Sequence, residues 1–311
     1  MASKTNTKNR KIDIIEVGPR DGLQNIKKYI PLEIKIRIIA LLYKAGLRNI
    51  EVTSFVSPKA MPQMKDAYQL VEKVKEQKFS DLNIITLVPN LYGAKIAQEL
   101  AVYRIVYIIS VSEKHNQDNV RQTRNESFKQ LEKIIQLYQE KEGSPQIKVG
   151  LATAFHCPFE GNQPVSKVIE MVGKLYEMGI RYFNFADTTG NANPLQVRNF
   201  WETLLPQCPN DLQYGIHFHD TKGLGLANTL VSLEYSIQWI ESSFGGFGGC
   251  PFAPGAAGNI ATEDLINMLE GIEIEYGGIN KELIAEAVKE IYSYNPCALN
   301  SHAFKSLFSK D

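Results

Sequence analysis

The sequence has no long apolar run and no excess of charge of either sign. None of its 311 residues lies in a stretch approaching the roughly 20 consecutive apolar residues that a membrane helix needs. Lysine and arginine together number 34, as do aspartate and glutamate, so the formal net charge is zero. This balance excludes a strong whole-chain attraction to nucleic acid or anionic lipid. We therefore expect neither a membrane nor a nucleic acid as a partner.

Cysteine is also scarce. The four cysteines are far apart and form no CxxC pair, which argues against a disulfide framework and against a zinc ribbon: Cys157, Cys208, Cys250 and Cys297. A reducing compartment fits this usage, and we expect a cytoplasmic protein. The first ten residues are basic and polar without the apolar centre of a signal peptide. We interpret residues 1–10 as a mobile leader and residues 11–311 as one domain.

Eight runs rich in β-branched residues recur along the chain, and each precedes a segment with helical spacing. A hydrophobic content of 44% is sufficient for a sizeable core. Eight alternating strands and helices predict a (β/α)8 TIM barrel. The predicted strands are residues 12–17, 48–55, 83–88, 104–112, 147–155, 181–187, 212–219 and 239–244.

Two further features follow the eighth predicted strand. Residues 245–259, GGFGGCPFAPGAAGN, carry an unusual number of glycines, and in a barrel this loop lies on the catalytic face. Beyond it, ATEDLINMLEG and NKELIAEAVKEIYSYN are typical of helices that close the fold. The sequence thus predicts a barrel with a glycine-rich catalytic loop and extra C-terminal helices.

His217 and His219 end the seventh predicted strand, in the stretch GIHFHDTKG. Side chains alternate across a strand, so both imidazoles share a face and would project into the barrel near its carboxyl end. Neutral imidazoles held close together are natural metal ligands, and histidine is also a common catalytic base near neutral pH. The alternative is a pair of polar core residues. The position at a strand end favours ligands.

A metal needs more than two ligands. Arg20 and Asp21 occupy a loop bounded by glycine and proline after the first strand, where a carboxylate completes a mixed set of nitrogen and oxygen ligands. With an amide such as that of Asn259, this set suits Mg²⁺ or Mn²⁺ better than a structural zinc.

Three further side chains are candidates for catalysis. Glu51 is an ionisable group inside an apolar strand, and Arg20 is its expected partner, whether that pairing is structural or orients a cation against a developing oxyanion. Asp187 closes the sixth strand, where it is either a helix N-cap or catalytic. Cys250, displayed among glycines rather than in an apolar element, is interpreted as a reacting acid or base on a lid.

These residues together resemble the 3-hydroxy-3-methylglutaryl-CoA lyases, members of a superfamily of barrel metallolyases with an Arg-Asp motif after the first strand. The matching stretches span nearly the whole chain in the family's order: EVGPRDGLQN, IEVTSFVSPKAMPQM, HFHDT with GLANTL, and FGGCPFAPGAAGNIATEDLINMLEG. The glycine-cysteine loop is far more specific than the pair of histidines.

The resemblance implies a divalent metal, Mg²⁺ or Mn²⁺, on Asp21, His217, His219 and Asn259. It implies that Arg20 faces the thioester carbonyl and that Cys250 is the catalytic thiol, with Glu51 and Asp187 ordering the site. The implied reaction is a retro-Claisen cleavage to acetyl-CoA and acetoacetate, as in leucine degradation and ketone-body formation. The implied partners are an acyl-CoA substrate and a second copy of the chain in a homodimer.

The chain departs from the family pattern at Lys222, where tyrosine is usual, and in SVSEKHNQDN, FHCPFEG and ADTTG. None of these changes removes a ligand. They leave open another 3-hydroxy-3-substituted acyl-CoA as substrate, with Lys222 either binding it or lying in solvent. A condensing synthase of the same superfamily is a further alternative, against which the cysteine loop stands. A non-catalytic metal- or CoA-binding barrel is the last alternative.

Overall fold

The computed structural model describes residues 11–139, 145–249, 258–294 and 299–308. Eight parallel strands hydrogen-bond in sequence order, and the eighth pairs with the first to close a barrel. The barrel strands are β1 (Asp13–Glu16), β2 (Asn49–Ser54), β3 (Asn83–Leu87), β4 (Arg104–Ser110), β5 (Gln146–Ala152), β6 (Tyr182–Asp187), β7 (Gln213–Phe218) and β8 (Trp239–Ser242).

Helices surround the barrel. Among the described residues, one α-helix follows each strand except β4, which two α-helices follow, and two more α-helices come after the one that follows β8. They are α1 (Leu32–Lys44), α2 (Ala67–Glu76), α3 (Leu91–Glu99), α4 (Glu113–Val120), α5 (Arg124–Gln139), α6 (Val165–Glu177), α7 (Pro194–Leu204), α8 (Gly225–Ser232), α9 (Thr262–Gly271), α10 (Lys281–Tyr292) and α11 (His302–Phe308).

The apolar residues form two groups, as the alternation of side chains across a strand requires. The larger group fills the layer between the barrel and the helices, where Phe185 of β6 packs edge-on against Phe200 and Trp201 of α7. The smaller group lies inside the barrel and includes Ile15 of β1 and Trp239 of β8. The barrel interior is therefore a packed core whose two ends differ in chemistry.

The structure confirms the predicted (β/α)8 barrel and the two predicted closing helices, α9 and α10. Several predicted strands end earlier than expected, because β-branched residues continue into loops at the carboxyl ends of β4 and β5. Three observed elements were not expected from the sequence: a π-helical turn at Gly18–Gly22, a short hairpin of His156–Cys157 with Gly161–Asn162, and α11.

Two of the predicted segments lie wholly or partly outside the described residues. The leader, residues 1–10, is one, and residues 250–257 of the glycine-rich loop, with Cys250, are the other. In the part of the chain that is described, none of the helices has the length and apolar character required to cross a membrane.

Candidate active site

Arg20 and Asp21 lie on the π-helical turn that directly follows β1. Both side chains are buried although both are charged, and their charges are of opposite sign. The turn ends β1 at the carboxyl end of the barrel, which is where (β/α)8 enzymes carry their catalytic residues. The tight turn brings two adjacent residues into the barrel mouth, which an extended strand would send to opposite faces.

Arg20 is held by carboxylates on two sides. Its Nε donates to Oε1 of Glu51 at 2.6 Å, and its Nη1 donates to Oδ1 of Asp21. The contact with Glu51 is the one that the sequence predicted for a carboxylate inside an apolar strand. Planar guanidinium groups fixed in this way lose little freedom on meeting a further acceptor, so the arginine is oriented before any ligand arrives.

His217 and His219 point the same way, as their spacing on β7 predicted. Their Nε2 atoms lie 3.2 Å apart, and both side chains are buried. Ligand atoms at about 2.1 Å from an octahedral ion lie about 3 Å from their neighbours, so this separation suits two ligands on one ion. Oδ2 of Asp21 lies 3.9 Å from Nε2 of His217.

Asn259 joins this cluster from the far side of the glycine-rich loop. Its Nδ2 donates to Oδ2 of Asp21 at 2.8 Å and to the Phe247 carbonyl at 3.0 Å. Gly248 packs so closely that a Cβ there would lie 2.6 Å from Nδ2 of Asn259, so only glycine allows this approach. The loop is thereby tied to the carboxylate of Asp21.

The donor atoms of this cluster fit a metal ion. Asp21, His217 and His219 offer one ligand atom each, all within 4.8 Å of one another and all on buried residues. Two further polar atoms of the cluster, Oδ1 of Asn259 and Nδ1 of His219, are buried and have no partner among the described residues. Buried acceptors are seldom left unpaired, so the bare Oδ1 of Asn259 beside three convergent ligand atoms indicates a cation site.

The surroundings of Asp21 and His219 keep these two ligands in the form that binds a metal. Burial alone would raise the pKa of the Asp21 carboxyl, but Arg20, His217 and His219 hold it well below its usual range. Burial, reinforced by the nearby His217, lowers the pKa of His219 to about 4. A carboxylate and a neutral imidazole are the protonation states that metal coordination requires.

Sequence reasoning missed the groups behind His217. Nδ1 of His217 lies 2.9 Å from Oε2 of Glu241, a buried residue of β8. Glu241 also accepts from Nζ of Lys148 and, at 2.9 Å, from Nδ2 of Asn184. The signal was present, because Glu241 and Lys148 are charged residues inside strongly apolar strands, just as Glu51 is.

Asp187 is fully buried at the end of β6. Its carboxylate accepts from the backbone N–H groups of Asn191 at 3.2 Å and Ala192 at 2.8 Å. The expected alternative of a helix N-cap is wrong, because Asn193 caps α7 through its own capping box. Burial raises the pKa of Asp187 to about 6, although these backbone donors oppose the rise.

Of the two remaining predicted site residues, one is described and lies apart from the buried cluster. Lys222 is exposed in the turn between β7 and α8, and its charge lies close enough to lower the pKa of Asp187 slightly. Cys250 lies outside the described residues, directly after Gly249, whose carbonyl accepts from Nδ2 of Asn25 at 3.0 Å.

The fold and the cluster define a (β/α)8 barrel with a candidate metal centre at the catalytic end. A family model described as HMGL-like matches residues 11–292, and the chain belongs to this family. The resemblance noted in the sequence is thereby confirmed.

Relatives and solved structures that are similar to this chain support its membership of the family. The hydroxymethylglutaryl-CoA lyase of Bacillus subtilis is 39% identical over 278 residues, covering 89% of this chain and 91% of the relative. A crystal structure of the Bacillus subtilis HMG-CoA lyase has a TM-score of 0.90 at 37% identity, with 97% of this chain and 99% of that chain covered. An Acinetobacter baumannii HMG-CoA lyase, solved with coenzyme A and 3-methylmalate, has a TM-score of 0.86 at 36% identity, covering 96% of each chain.

Proposed function

We propose that this chain is a carbon-carbon lyase that cleaves 3-hydroxy-3-methylglutaryl-CoA to acetyl-CoA and acetoacetate. The observation that carries the proposal is the buried cluster of Asp21, His217 and His219 beside a fixed arginine. It lies at the catalytic end of the barrel. The chain matches 91% of the length of a relative that is named a hydroxymethylglutaryl-CoA lyase.

Asp21, His217, His219 and Asn259 would hold a divalent cation, Mg²⁺ or Mn²⁺. When bound, such a cation lowers the pKa of a hydroxyl group and polarises neighbouring oxygens. The ligand set supports a hard or borderline ion, because it mixes one carboxylate and one amide oxygen with two imidazoles. Oδ1 of Asn259 is otherwise buried without a partner among the described residues, which supports the assignment.

Cleavage begins when a base removes the proton of the substrate's tertiary hydroxyl. Asp21 and His217 are the two candidates for that base. A His217 whose Nε2 lone pair bound the cation could not also take the proton there, so that arrangement would favour Asp21. As the hydroxyl becomes a carbonyl, the adjacent carbon-carbon bond breaks, and its electron pair passes to the carbon next to the thioester. The products of this step are acetoacetate and the enolate of acetyl-CoA.

Arg20 stabilises the charge that develops on the thioester oxygen. Glu51 holds Nε of Arg20 in place at 2.6 Å, so the guanidinium needs no reorientation when the enolate forms. Asp187 fixes the loop after β6 through two backbone hydrogen bonds and so orders the adjoining wall of the site. Cys250, directly or through water, returns a proton to the enolate carbon, and Lys222 at the mouth contacts the substrate.

The substrate is an acyl-CoA, as a relative solved with coenzyme A supports. We infer that neither nucleic acid nor membrane is a partner, which the balanced charge of the chain supports. We also infer a homodimer, which the family resemblance supports. The dispersed cysteines support a reducing compartment such as the cytoplasm. Acetoacetate as a product assigns the enzyme to leucine degradation or ketone-body formation.

A coupled assay for acetyl-CoA release from 3-hydroxy-3-methylglutaryl-CoA tests the proposal. The intact protein is assayed with Mg²⁺ or Mn²⁺, with a chelator, and as the variant Cys250→Ala. We expect cleavage that is lost on chelation and falls by orders of magnitude in the variant. A metal-loaded chain that leaves this thioester intact would refute the substrate, and other 3-hydroxyacyl thioesters would then be compared in the same assay.

A further inference from the structure

A polar network crosses the barrel interior behind the proposed metal site. It begins at Lys148 of β5, whose Nζ donates to Oε1 of Glu241 on β8. Asn184 of β6 donates to the second carboxylate oxygen, Oε2, at 2.9 Å. That same oxygen lies 2.9 Å from Nδ1 of His217. Three strands thus supply groups that converge on one carboxylate.

The network is too enclosed to be a surface ion pair. The side chains of Lys148 and Glu241 are 9% and 5% exposed. A buried ion pair loses hydration that its attraction only partly restores, and apolar residues of the same volume often give equal or greater stability. Stability is therefore a weak explanation for this pair, and its contact with His217 supplies a better one.

Asn184 is itself clamped in one orientation. Its Oδ1 accepts from Nε1 of Trp239 at 2.9 Å, which leaves Nδ2 to face Glu241. The indole of Trp239 reaches this position because residue 215 is glycine, where a Cβ would lie only 1.8 Å from Nε1 of Trp239. The packing around Gly215 thereby fixes the carboxylate that contacts His217 two residues further along β7.

A carboxylate has no proton to donate, so His217 must present a proton on Nδ1 to make this hydrogen bond. In a neutral imidazole the other nitrogen, Nε2, then carries the lone pair. Nε2 is the atom that faces His219 and Asp21 at the proposed metal site. A carboxylate behind a ligating histidine both fixes its tautomer and makes it a stronger ligand.

We propose that Glu241, held by Lys148 and Asn184, is a positioning residue that fixes His217 with its Nε2 lone pair directed at the metal. The inference rests on the proposed metal site and deepens it. Lys148 and Asn184 act only through Glu241, since neither has a described contact with a ligand atom of the cluster.

Two measurements test this inference without relying on turnover. Mn²⁺ affinity is measured by titration of the metal-free protein, following free Mn²⁺ by electron paramagnetic resonance, for the wild type and for Glu241→Gln, Lys148→Met and Arg104→Met. Arg104 is the matched control, because it lines the same end of the barrel as Lys148 but donates to Asn49. Circular dichroism establishes that each variant is folded.

Because removing a group behind a ligating histidine typically costs 10–100-fold in metal affinity, we expect a loss of about that size for Glu241→Gln. We expect roughly tenfold for Lys148→Met and less than about twofold for Arg104→Met, since only the former contacts Glu241. Affinity within twofold of wild type in Glu241→Gln would overturn the inference while leaving the metal site intact. A wild-type chain that binds no Mn²⁺ would overturn both.

The second measurement uses only the wild-type protein, so its result does not depend on whether a variant folds. Long-range ¹H–¹⁵N correlation spectra of the metal-free wild type, labelled at histidine and recorded at rising pH until the His217 ring is neutral, report which ring nitrogen keeps the proton. We expect His217 to be protonated at Nδ1 and bare at Nε2. The opposite tautomer would contradict the inference.

Discussion

The two ends of the barrel are both polar, yet their polar groups are arranged differently. At the amino-terminal end a cavity is lined by Asp13, Asn49, Arg104 and several glutamines, and none of its lining side chains is among the described buried groups that lack a partner. At the carboxyl end, Glu51, His219 and Asn259 each have a buried atom without a partner.

This difference distinguishes a ligand-binding site from an end of the barrel whose polar groups are structural. Leaving a buried donor or acceptor unpaired costs roughly 1–3 kcal/mol, so such atoms persist where a ligand completes them. Groups at the amino-terminal end are satisfied by one another or by solvent, and they need no ligand. The comparison therefore predicts that matched substitutions at the two ends differ in their effect on activity.

The largest effect is expected for Asp21→Asn. Losing a charged metal ligand removes several kcal/mol of charge stabilisation, so kcat for thioester cleavage should fall by roughly 10³-fold or more. Asp13→Asn is the matched control, because Asp13 is an exposed aspartate at the opposite end of the barrel. Acetyl-CoA release and Mn²⁺ titration measure both variants. Equal losses in the two variants would erase the distinction between the ends.

A smaller but still large effect is expected for Arg20→Lys. Lysine keeps the charge but cannot contact Glu51 and Asp21 together through one rigid fork. Since removing one preorganised donor to an oxyanion costs about 10²–10³-fold, kcat should fall by about 10²-fold with a smaller change in KM. Arg104→Lys, at the other end of the barrel, should leave kcat within about twofold. A loss confined to KM in Arg20→Lys would assign Arg20 to ground-state binding.

The pattern within a single strand predicts part of this site, whereas contacts between strands far apart in the sequence were not predicted. Alternation along β7 was sufficient to place His217 and His219 on one face, and the strand position of Glu51 was sufficient to pair it with Arg20. Glu241 and Lys148 were missed, although each is a charged residue inside an apolar strand. Their pairing joins strands 93 residues apart in the sequence, and only the closed barrel brings them together.

Loop geometry was a second limit. No spacing rule predicts the π-helical turn that buries Arg20 and Asp21 side by side, because its shape depends on packing against the loop after β8. The role of Asp187 was likewise ambiguous, since a carboxylate at a strand end can cap either a helix or a loop. Backbone contacts to Asn191 and Ala192 resolve that choice for the loop.

Glu16 lies at the carboxyl end of the barrel, yet its side chain has hydrogen-bond partners for both carboxyl oxygens. It accepts from the N–H groups of Gly18 at 2.7 Å and Phe244 at 3.0 Å and from Oγ1 of Thr262 at 2.7 Å. Burial raises the pKa of Glu16 to about 8. We therefore expect it to affect stability through its protonation and not to bind a ligand.

The predicted consequence is a dependence of stability on pH. Between the ordinary glutamate pKa and about 8, the folded chain keeps a proton on Glu16 that the unfolded chain has released. Folding is then penalised as pH rises, by at most about 1.4 kcal/mol per pH unit. Glu16→Gln cannot ionise, so its unfolding free energy should gain on that of the wild type from pH 5 to 8. Denaturant titrations measure this, with the exposed Glu286→Gln as control. A constant difference between Glu16→Gln and wild type would show that Glu16 does not retain its proton.

The smallest effect is expected for Lys222→Ala, at the outer rim of the catalytic end. Its side chain is exposed, and salt and water screen an exposed charge, so it stabilises a bound anionic substrate only weakly. KM should rise by no more than about threefold, and less at high salt, while kcat stays nearly constant. Steady-state assays at two ionic strengths measure both constants. A tenfold fall in kcat would place the lysine beside the reacting atoms, and the division between a buried, incomplete centre and a solvated rim would then be wrong at this position.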